Sequence, residues 1–383
     1  MITIANGTIL KGSNITPSKE NIVIDNGKII EISKDVLEGE IIDITGCIVS
    51  PSFLNAHTHI GDSIIKDEGD GLSLSEMVKP PYGLKHQALN SVEDDTIISA
   101  MKDSMNLMLE SGTTHFIDYR EGGIEGVKLL KKAASNMPID PIILGRDNSF
   151  YGNDPDLKKV KINLRKLLKV ADGVGLSGFD EVSDEVMNIV TNECEKLNKI
   201  SSIHVAESKN ANKNSLNKTN KTELKRAVDF KFNQIVHLTY PNCPGDFEEL
   251  LKSNTSLTLC PRANATLNLA IFPFSHLYHG INPLLGSDNV MLNSPNILRD
   301  LEYTLKVMRA YCQKYVSPER VLKFATTNGS LSSDNSNQYP LLSKIKKSVI
   351  DVGQVPQLVI SKKLSKNPYL SLINRCETKI YYI

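Results

Sequence analysis

Two histidines two residues apart, His57 and His59, are the first residues whose types and spacing predict chemistry. They end an apolar segment that we interpret as a β-strand, and residues i and i+2 of a strand project to the same face. Both imidazoles can therefore face one metal ion, and imidazole suits zinc or iron. Taken alone the pair is a weak signal, because a structural or surface histidine pair explains it equally well.

Four further polar residues follow later apolar segments in the same way. His204 and Glu207 follow the fifth predicted strand, His237 follows the sixth, and Asp288 follows the eighth. A lone His204 is explained by packing and a lone Asp288 by helix capping. The joint order His-x-His, His-x-x-Glu, His and Asp is hard to explain by packing, because each position lies at the carboxyl end of a strand, where barrel enzymes build their active sites.

The elements that must position these residues follow from the rhythm of apolar residues. From about residue 50, apolar runs of four to six residues alternate with amphipathic stretches, which is typical of βα units around a parallel sheet. Eight such units over residues 51–335 predict a TIM-like (β/α)8 barrel. The alternative is a doubly wound open sheet, but no Gly-x-Gly-x-x-Gly motif follows an early strand.

Both chain ends have the pattern of short strands instead. Asn-Gly dipeptides at residues 6–7 and 26–27 separate apolar runs, and we expect a hairpin turn at each. Short strand patterns return after residue 335. The simplest interpretation is a small β-sandwich domain formed by residues 1–50 and 336–383, with the barrel inserted between them. Residues 208–221, rich in Asn, Lys and Ser, predict a mobile solvated loop, or alternatively a basic lid.

Composition gives no reason to expect a nucleic-acid or membrane partner. The 383 residues carry 44 basic and 44 acidic side chains, and no apolar run reaches the length of about 18 residues that a bilayer requires. The six cysteines form no Cys-x-x-Cys pair, which is typical of reduced thiols. We expect a cytoplasmic enzyme with a small-molecule substrate, and homo-oligomerisation is left open.

The ordered set of motifs resembles the amidohydrolase superfamily of metal-dependent hydrolases, in particular its cytosine, adenosine and adenosylhomocysteine deaminase branch. Residues 51–59 are similar to the strand-one signature, 260–264 to the strand-seven segment, and 350–353 with 358–360 to the closing β elements. The resemblance covers nearly the full chain. It implies that the metal ligands are His57, His59, His204 and Asp288. It also implies that Glu207 is the proton shuttle and that His237 holds the hydrolytic water or the developing oxyanion.

The chemistry requires these residue types independently of the resemblance. Three neutral imidazoles and one carboxylate leave a coordination position open for water, and a metal lowers the pKa of that water to about 7. Asp288 can ligate and accept a proton, while Glu207 can protonate a substrate nitrogen. In many members of the superfamily that the motifs resemble, a lysine at the end of strand four bridges two metals. The predicted fourth strand here has no lysine, so the resemblance implies one divalent metal, zinc first and iron as the alternative.

Six residues near the predicted strand ends are candidates for substrate binding. An arginine there could grip a carboxylate or phosphate with two hydrogen bonds, and three arginines on one rim would favour an anionic substrate. The alternatives are a solvated loop at residues 79–86 and a structural ion pair between Arg120 and Glu121. The candidates are Lys85, His86, Arg120, Arg146, Arg262 and Asn264.

Hydrolytic deamination of a small polar heterocycle is the leading functional hypothesis. The His-x-x-Glu motif favours it, because an aminated ring carbon needs its ring nitrogen protonated during attack. One alternative is hydrolysis of a cyclic amide or a C–Cl bond by the same site. The second alternative is a catalytically silent barrel that acts as a binding protein.

Overall fold

Both chain ends contribute to one β domain in the computed structural model, which describes residues 1–79, 82–152, 154–241, 244–329, 340–345, 347–374 and 381–382. Seven N-terminal strands belong to it: β1 (Ile2–Ala5), β2 (Thr8–Lys11), β3 (Thr16–Ser18), β4 (Asn21–Asp25), β5 (Lys28–Ser33), β6 (Glu40–Asp43) and β7 (Cys47–Pro51). Two C-terminal strands join them: β17 (Leu358–Lys362) and β18 (Tyr381–Tyr382).

The strands of this domain form two sheets, in the orders β5-β4-β1-β6 and β18-β17-β7-β2-β3. β17 pairs antiparallel with β7 from Leu358 opposite Pro51 to Lys362 opposite Cys47, which fixes the C-terminal segment to the N-terminal one. The sheets share a buried aliphatic cluster with members from both chain ends, such as Ile4, Ile9 and Ile360. This confirms the predicted β domain. We propose its border with the barrel near residue 50; the second predicted border, at 335, lies outside the described residues.

The two Asn-Gly dipeptides behave differently from each other. The turn at 26–27 is a hairpin, since Asp25 pairs with Lys28 and both Asn26 and Gly27 have positive φ angles. The hairpin expected at 6–7 is wrong, because β1 and β2 lie in different sheets. Gly7 packs against Ile44 instead: a Cβ at position 7 would lie 2.2 Å from Cδ1 of Ile44, so that side chain would have to shift.

The central sheet is a ring of parallel strands, which confirms the predicted TIM-like barrel. In chain order its strands are β8 (Phe53–His59), β9 (Thr113–Arg120), β10 (Asp140–Gly145), β11 (Gly173–Leu176), β12 (Ile200–Val205), β13 (Gln234–His237), β14 (Ser256–Leu259), β15 (Leu284–Leu285) and β16 (Asp288–Asn289). β15 and β16 are two halves of the eighth strand. β15 pairs with β14 and β16 pairs with β8, so the split strand closes the ring.

Helices cover the outside of the ring and the loops at its carboxyl end. They are α1 (Leu74–Val78), α2 (Leu84–Ser91), α3 (Asp94–Glu110), α4 (Gly123–Ala134), α5 (Leu157–Leu167), α6 (Asp184–Lys196), α7 (Ala211–Thr219), α8 (Glu223–Asp229), α9 (Pro244–Lys252), α10 (Pro261–Thr266), α11 (Ile297–Cys312), α12 (Pro318–Lys323), α13 (Pro340–Ile345) and α14 (Pro368–Asn374). Within the described part of the chain, none of these helices combines the length and hydropathy that a bilayer crossing needs.

Side chains of the barrel strands alternate between two cores, as the two-residue period of a strand requires. Leu54 and Ala56 of β8, with Ile117 of β9, point into the barrel. Phe53 and Phe116, their neighbours in sequence, point outward and pack in the cluster that includes the helices. This alternation leaves the carboxyl ends of the strands free to carry polar residues.

The Asn- and Lys-rich segment 208–221 is folded, which corrects the expectation of a mobile loop. Residues 211–219 form α7, and Asn212 and Ser215 of that helix are buried. Asn212 donates from Nδ2 to the Tyr240 carbonyl at 2.6 Å, and its Oδ1 accepts from the Glu223 backbone N–H at 2.9 Å. Composition alone cannot reveal these partners.

Candidate metal centre and active site

Four histidines and one aspartate meet at the carboxyl end of the barrel. His57 and His59 lie at the end of β8, His204 in β12, His237 at the end of β13 and Asp288 at the start of β16. All five are buried. Strand register explains the convergence, since Val205 pairs with His237 across β12 and β13, and Asp288 pairs with Thr58 across β16 and β8.

The donor atoms of these residues lie close enough to share one ion. The ligand atoms of His57, His59 and His204 lie within 4.8 Å of one another, as do those of His57, His237 and Asp288. Asp288 Oδ1 is 3.1 Å from His57 Nε2 and 3.7 Å from His59 Nε2. The geometry therefore brings together all four predicted ligands, and it adds His237 to the same cluster.

The backbone at two of these positions is strained. His237 has a φ of 74° and Asp288 a φ of 64°, the left-handed region that side chains other than glycine adopt only at a cost. Next to Asp288 the chain passes close to β8: a Cβ on Gly286 would lie 2.6 Å from the Cβ of His57. Glycine at 286 thus lets the eighth strand approach the histidine strand.

Burial favours the neutral form of three of the imidazoles. It lowers the pKa of His57 to about 4, against the opposing effect of the Asp288 carboxylate. Burial also lowers the pKa of His59 and His204 well below the usual value. Burial alone would raise the pKa of Asp288, but the hydrogen bond with His57 holds it well below its ordinary range. The contact between His57 and Asp288 is therefore a hydrogen bond of a carboxylate with a neutral ring.

A divalent metal fits this donor set. Neutral imidazoles and an ionised carboxylate are the protonation states that metal ligands need. Among the described residues, His57 Nδ1, His237 Nε2 and Asp288 Oδ2 are buried without a hydrogen-bond partner. The Nδ1 of His204 lies 2.8 Å from the Leu176 carbonyl; donation to that oxygen leaves Nε2 with a free lone pair. Buried polar atoms without partners are costly, and an ion would satisfy them.

Glu207 lies beside this cluster, three residues after His204. Its Oε1 is 3.6 Å from His237 Nε2. Burial raises the pKa of Glu207, which favours the protonated acid. The other ring nitrogen of His237, Nδ1, is 3.0 Å from Asn264 Oδ1, and Asn264 donates to Thr239 Oγ1 at 2.9 Å. Since that amide oxygen can only accept, Nδ1 of His237 donates to it, and Nε2 faces the cluster.

Glu121, which the sequence offered only as a partner of Arg120, joins several cations at the rim. Its carboxylate accepts from Lys85 Nζ at 2.6 Å and from Arg120 Nη2 at 2.8 Å, and it lies 3.3 Å from His59 Nδ1. Arg146 Nη1 is 3.6 Å away. Burial alone would raise the pKa of Glu121, but Lys85 holds it well below its usual range. Glu121 thus links three predicted substrate-binding residues to a predicted ligand.

The remaining candidates for substrate binding lie in different surroundings. His86 Nε2 is 3.0 Å from the Val78 carbonyl. Arg262 makes two hydrogen bonds to Asp300, at 2.9 and 2.8 Å, and donates to the Ser294 carbonyl, so its guanidinium is held by protein groups. Asn264 contacts His237. The geometry therefore does not bring Arg262 to the histidine cluster.

Two cavities lie near the cluster. The larger, 1140 Å³, is lined by residues of α2, such as His86, and by residues at or after the ends of β9, β10 and β11, such as Arg120, and by none of the predicted ligands. The smaller, 50 Å³, is lined by His59, His204, Glu207 and Asp288. Arg146 and Glu181 line both. The small cavity contains the reactive groups, so we interpret the large one as the approach to it.

The comparisons with known proteins agree with this geometry. Residues 48–334 match the model of the Amidohydrolase family. The chain belongs to the amidohydrolase family. It is therefore a hydrolase, and it acts on carbon–nitrogen bonds.

Two relatives of this amidohydrolase and one solved structure show how far the likeness extends. A Methanothermobacter thermautotrophicus protein named "Putative aminohydrolase" is 42% identical over 387 residues, covering 100% of this chain and 97% of its own. A 5-methylthioadenosine/S-adenosylhomocysteine deaminase of Thermococcus sibiricus is 24% identical, covering 86% and 80%. The crystal structure of an Arthrobacter aurescens atrazine chlorohydrolase complexed with zinc matches with a TM-score of 0.79 at 16% identity, covering 97% and 91%. At that identity the last match shows the fold alone.

Proposed function

We propose that this amidohydrolase deaminates a small aminated heterocycle, using one divalent metal, with zinc first and iron as the alternative. The observation that carries the proposal is a half-buried carboxyl of raised pKa, Glu207, beside a cluster of imidazoles and one carboxylate. Deamination needs an acid at the substrate nitrogen and a base at the attacking water. The named likeness to an aminohydrolase and to a nucleoside deaminase supports the same reaction class.

His57, His59, His204 and Asp288 would hold the metal, and His237 would face the substrate oxygen. A divalent metal bound there supplies a Lewis acid that makes water nucleophilic at neutral pH. No lysine occurs in β11 (Gly173–Leu176), so a lysine bridge to a second ion is missing from that strand.

The proton transfers belong to two carboxyl groups. Asp288, held ionised, can take a proton from the attacking water. Glu207 can give its proton to the ring nitrogen next to the reacting carbon. The carbon–oxygen bond forms, and the proton taken up by Asp288 goes to the amine. The carbon–nitrogen bond then breaks to release ammonia, while the proton of the new hydroxyl returns to Glu207 as the carbonyl forms. Each such transfer contributes about 10²–10⁴-fold to the rate.

The structural likeness to a chlorohydrolase supports a second candidate reaction, the hydrolysis of a carbon–chlorine bond. We place it second because a halide leaving group does not need a proton, whereas an amine does.

We further propose that the protein works in the reducing cytoplasm. The described cysteines are free thiols: Cys47, Cys194, Cys260 and Cys312.

A coupled ammonia assay across aminopurines, aminopyrimidines and aminopterins tests the proposal. We expect ammonia from at least one class with the wild type, and a loss of about 10²–10⁴-fold in kcat for Glu207→Gln with its metal retained. Chloride release from a chlorinated heterocycle without any ammonia would favour the second candidate. Full-affinity ligand binding without turnover in the metal-loaded protein would show a silent barrel, and a fast Glu207→Gln would refute the role of that residue.

A further inference from the structure

The loop that carries Glu207 has an unusual backbone next to the acid. Ala206, between β12 and Glu207, has a φ of 48°, which costs about 1 kcal/mol or more for a residue with a Cβ. Both backbone polar groups of Ala206 make hydrogen bonds. Its N–H donates to Glu223 Oε2 at 2.7 Å, and its carbonyl accepts from the Tyr240 N–H at 2.9 Å.

Glu223 is a buried residue in the first turn of α8, far from the metal ligands in sequence. Its carboxyl faces the loop after β12, where the contact that the structure gives it is the Ala206 N–H. A peptide flip between Val205 and Ala206 would lose this bond and turn Glu207 to a new direction. The carboxyl of Glu223 therefore selects one orientation of the loop.

Asn212 of α7 completes the arrangement. Its side chain accepts from the Glu223 N–H at 2.9 Å and donates to the Tyr240 carbonyl at 2.6 Å. Tyr240 follows the strand of His237 and also donates to the Ala206 carbonyl. Four hydrogen bonds thus join the loop after β12, the loop after β13 and the start of α8.

We propose that Glu223 and Asn212 are positioning residues that hold Ala206 in its left-handed conformation and so aim Glu207 at His237. The role of Glu207 as the acid rests on the proposed function, whereas the hold on the loop does not. Neither residue touches the small cavity that contains the reactive groups. The Asn- and Lys-rich segment 208–221 thereby gains a function, since the Asn212 side chain of α7 connects the start of α8 with the loop after β13.

The position of these bonds argues against a purely structural role. They hold Ala206, the residue before Glu207, and Tyr240, three residues after His237. The Oε1 of Glu207 and the Nε2 of His237 are 3.6 Å apart. Side-chain amides also make hydrogen bonds to neighbouring loops and strands away from the site, and the half-buried Asn233 offers a comparison. Its Oδ1 accepts from the Ser201 N–H at 2.9 Å, at the opposite end of β12. Loss of that bond should affect stability without affecting the acid.

Four variants test the proposal: Glu223→Ala, Glu223→Gln, Asn212→Ala and the control Asn233→Ala. We expect kcat to fall about 10²-fold in Glu223→Ala, the cost of a misplacement of about 1 Å, with KM little changed. Glu223→Gln keeps an acceptor oxygen and should recover most of kcat. Asn212→Ala should lose kcat, while Asn233→Ala should keep the wild-type value. Metal content should stay equal in all four.

Hydrogen exchange at the Ala206 amide gives a readout that does not depend on activity. We expect fast exchange in Glu223→Ala and wild-type protection in Glu223→Gln. Wild-type kcat in both Glu223→Ala and Asn212→Ala, or equal losses in Asn212→Ala and Asn233→Ala, would overturn the proposal. If Glu223→Ala does not fold, the comparison of Asn212→Ala with Asn233→Ala decides.

The two proposals can fail separately. Absence of ammonia from every substrate with the wild type would refute the deaminase proposal. Exchange at Ala206 would still decide whether Glu223 holds the loop, and unchanged exchange in Glu223→Ala would refute that hold.

Discussion

Replacing Glu121 by glutamine should be the most damaging single-atom change at the rim of the site. Its carboxylate neutralises Lys85 at 2.6 Å and Arg120 at 2.8 Å, with Arg146 at 3.6 Å, and all three cations are buried. Removing one partner of a buried ion pair costs about 3–5 kcal/mol, because the other charge remains uncompensated. We expect a loss of that size in the free energy of unfolding of Glu121→Gln.

The loss should depend on pH with a definite sign. The pKa of Glu121 in the folded protein is held well below the ordinary value of 4.5, so its stabilising effect is complete above that value and disappears as the pH falls through the lower, folded-state pKa. The difference between wild type and Glu121→Gln should therefore be full at neutral pH and should shrink in acid. Metal affinity should also fall, by about 10–100-fold, because Glu121 lies 3.3 Å from His59 Nδ1.

Urea denaturation of the metal-free protein at neutral and acidic pH measures the first effect, and competition with a chelator measures the second. Glu193→Gln is the control. Glu193 accepts from Arg165 Nε at 2.7 Å, and the exposure of that arginine to solvent should keep the loss much smaller. The reasoning is refuted if Glu121→Gln is no less stable than this control, or if its metal affinity equals that of the wild type.

Two further substitutions test buried charges away from the metal. Burial lowers the pKa of Lys347 from 10.5 to about 7, so wild-type stability should rise by about 5 kcal/mol between those pH values. Lys347→Met should abolish this slope in urea denaturation and be more stable at neutral pH; a wild type with no slope would contradict the burial argument. Arg262→Met should cost about 3–5 kcal/mol by leaving Asp300 unpaired, with KM unchanged. A raised KM with normal stability would instead support substrate binding by Arg262.

The sequence predicts the barrel and the convergence of its polar strand ends, because both depend on short-range periodicity. His57 and His59 face one way since they are two residues apart in a strand. The order of the strands around the ring then brings His204, His237 and Asp288 to the same end. Such patterns are local in sequence, so a single chain is enough to detect them.

The sequence could not predict contacts between long side chains from distant segments. Arg262 follows the seventh strand as predicted, yet the first turn of α10 directs it to Asp300 in α11. Glu121 and Glu223 look like ordinary surface acids, and only the fold shows them buried against Lys85 and the Ala206 amide. For Glu121 the adjacent Arg120 was a signal; for Glu223 there was none.

Metal content per chain tests the central claim most directly. Elemental analysis should be made on protein purified with zinc, for the wild type, His204→Ala, Asp288→Asn and the control His276→Ala, whose ring stacks on Phe247 outside the cluster. We expect one ion per chain in the wild type and in the control, and almost none in the other two. One ion retained in His204→Ala and Asp288→Asn, or none in the wild type, would contradict the metal centre.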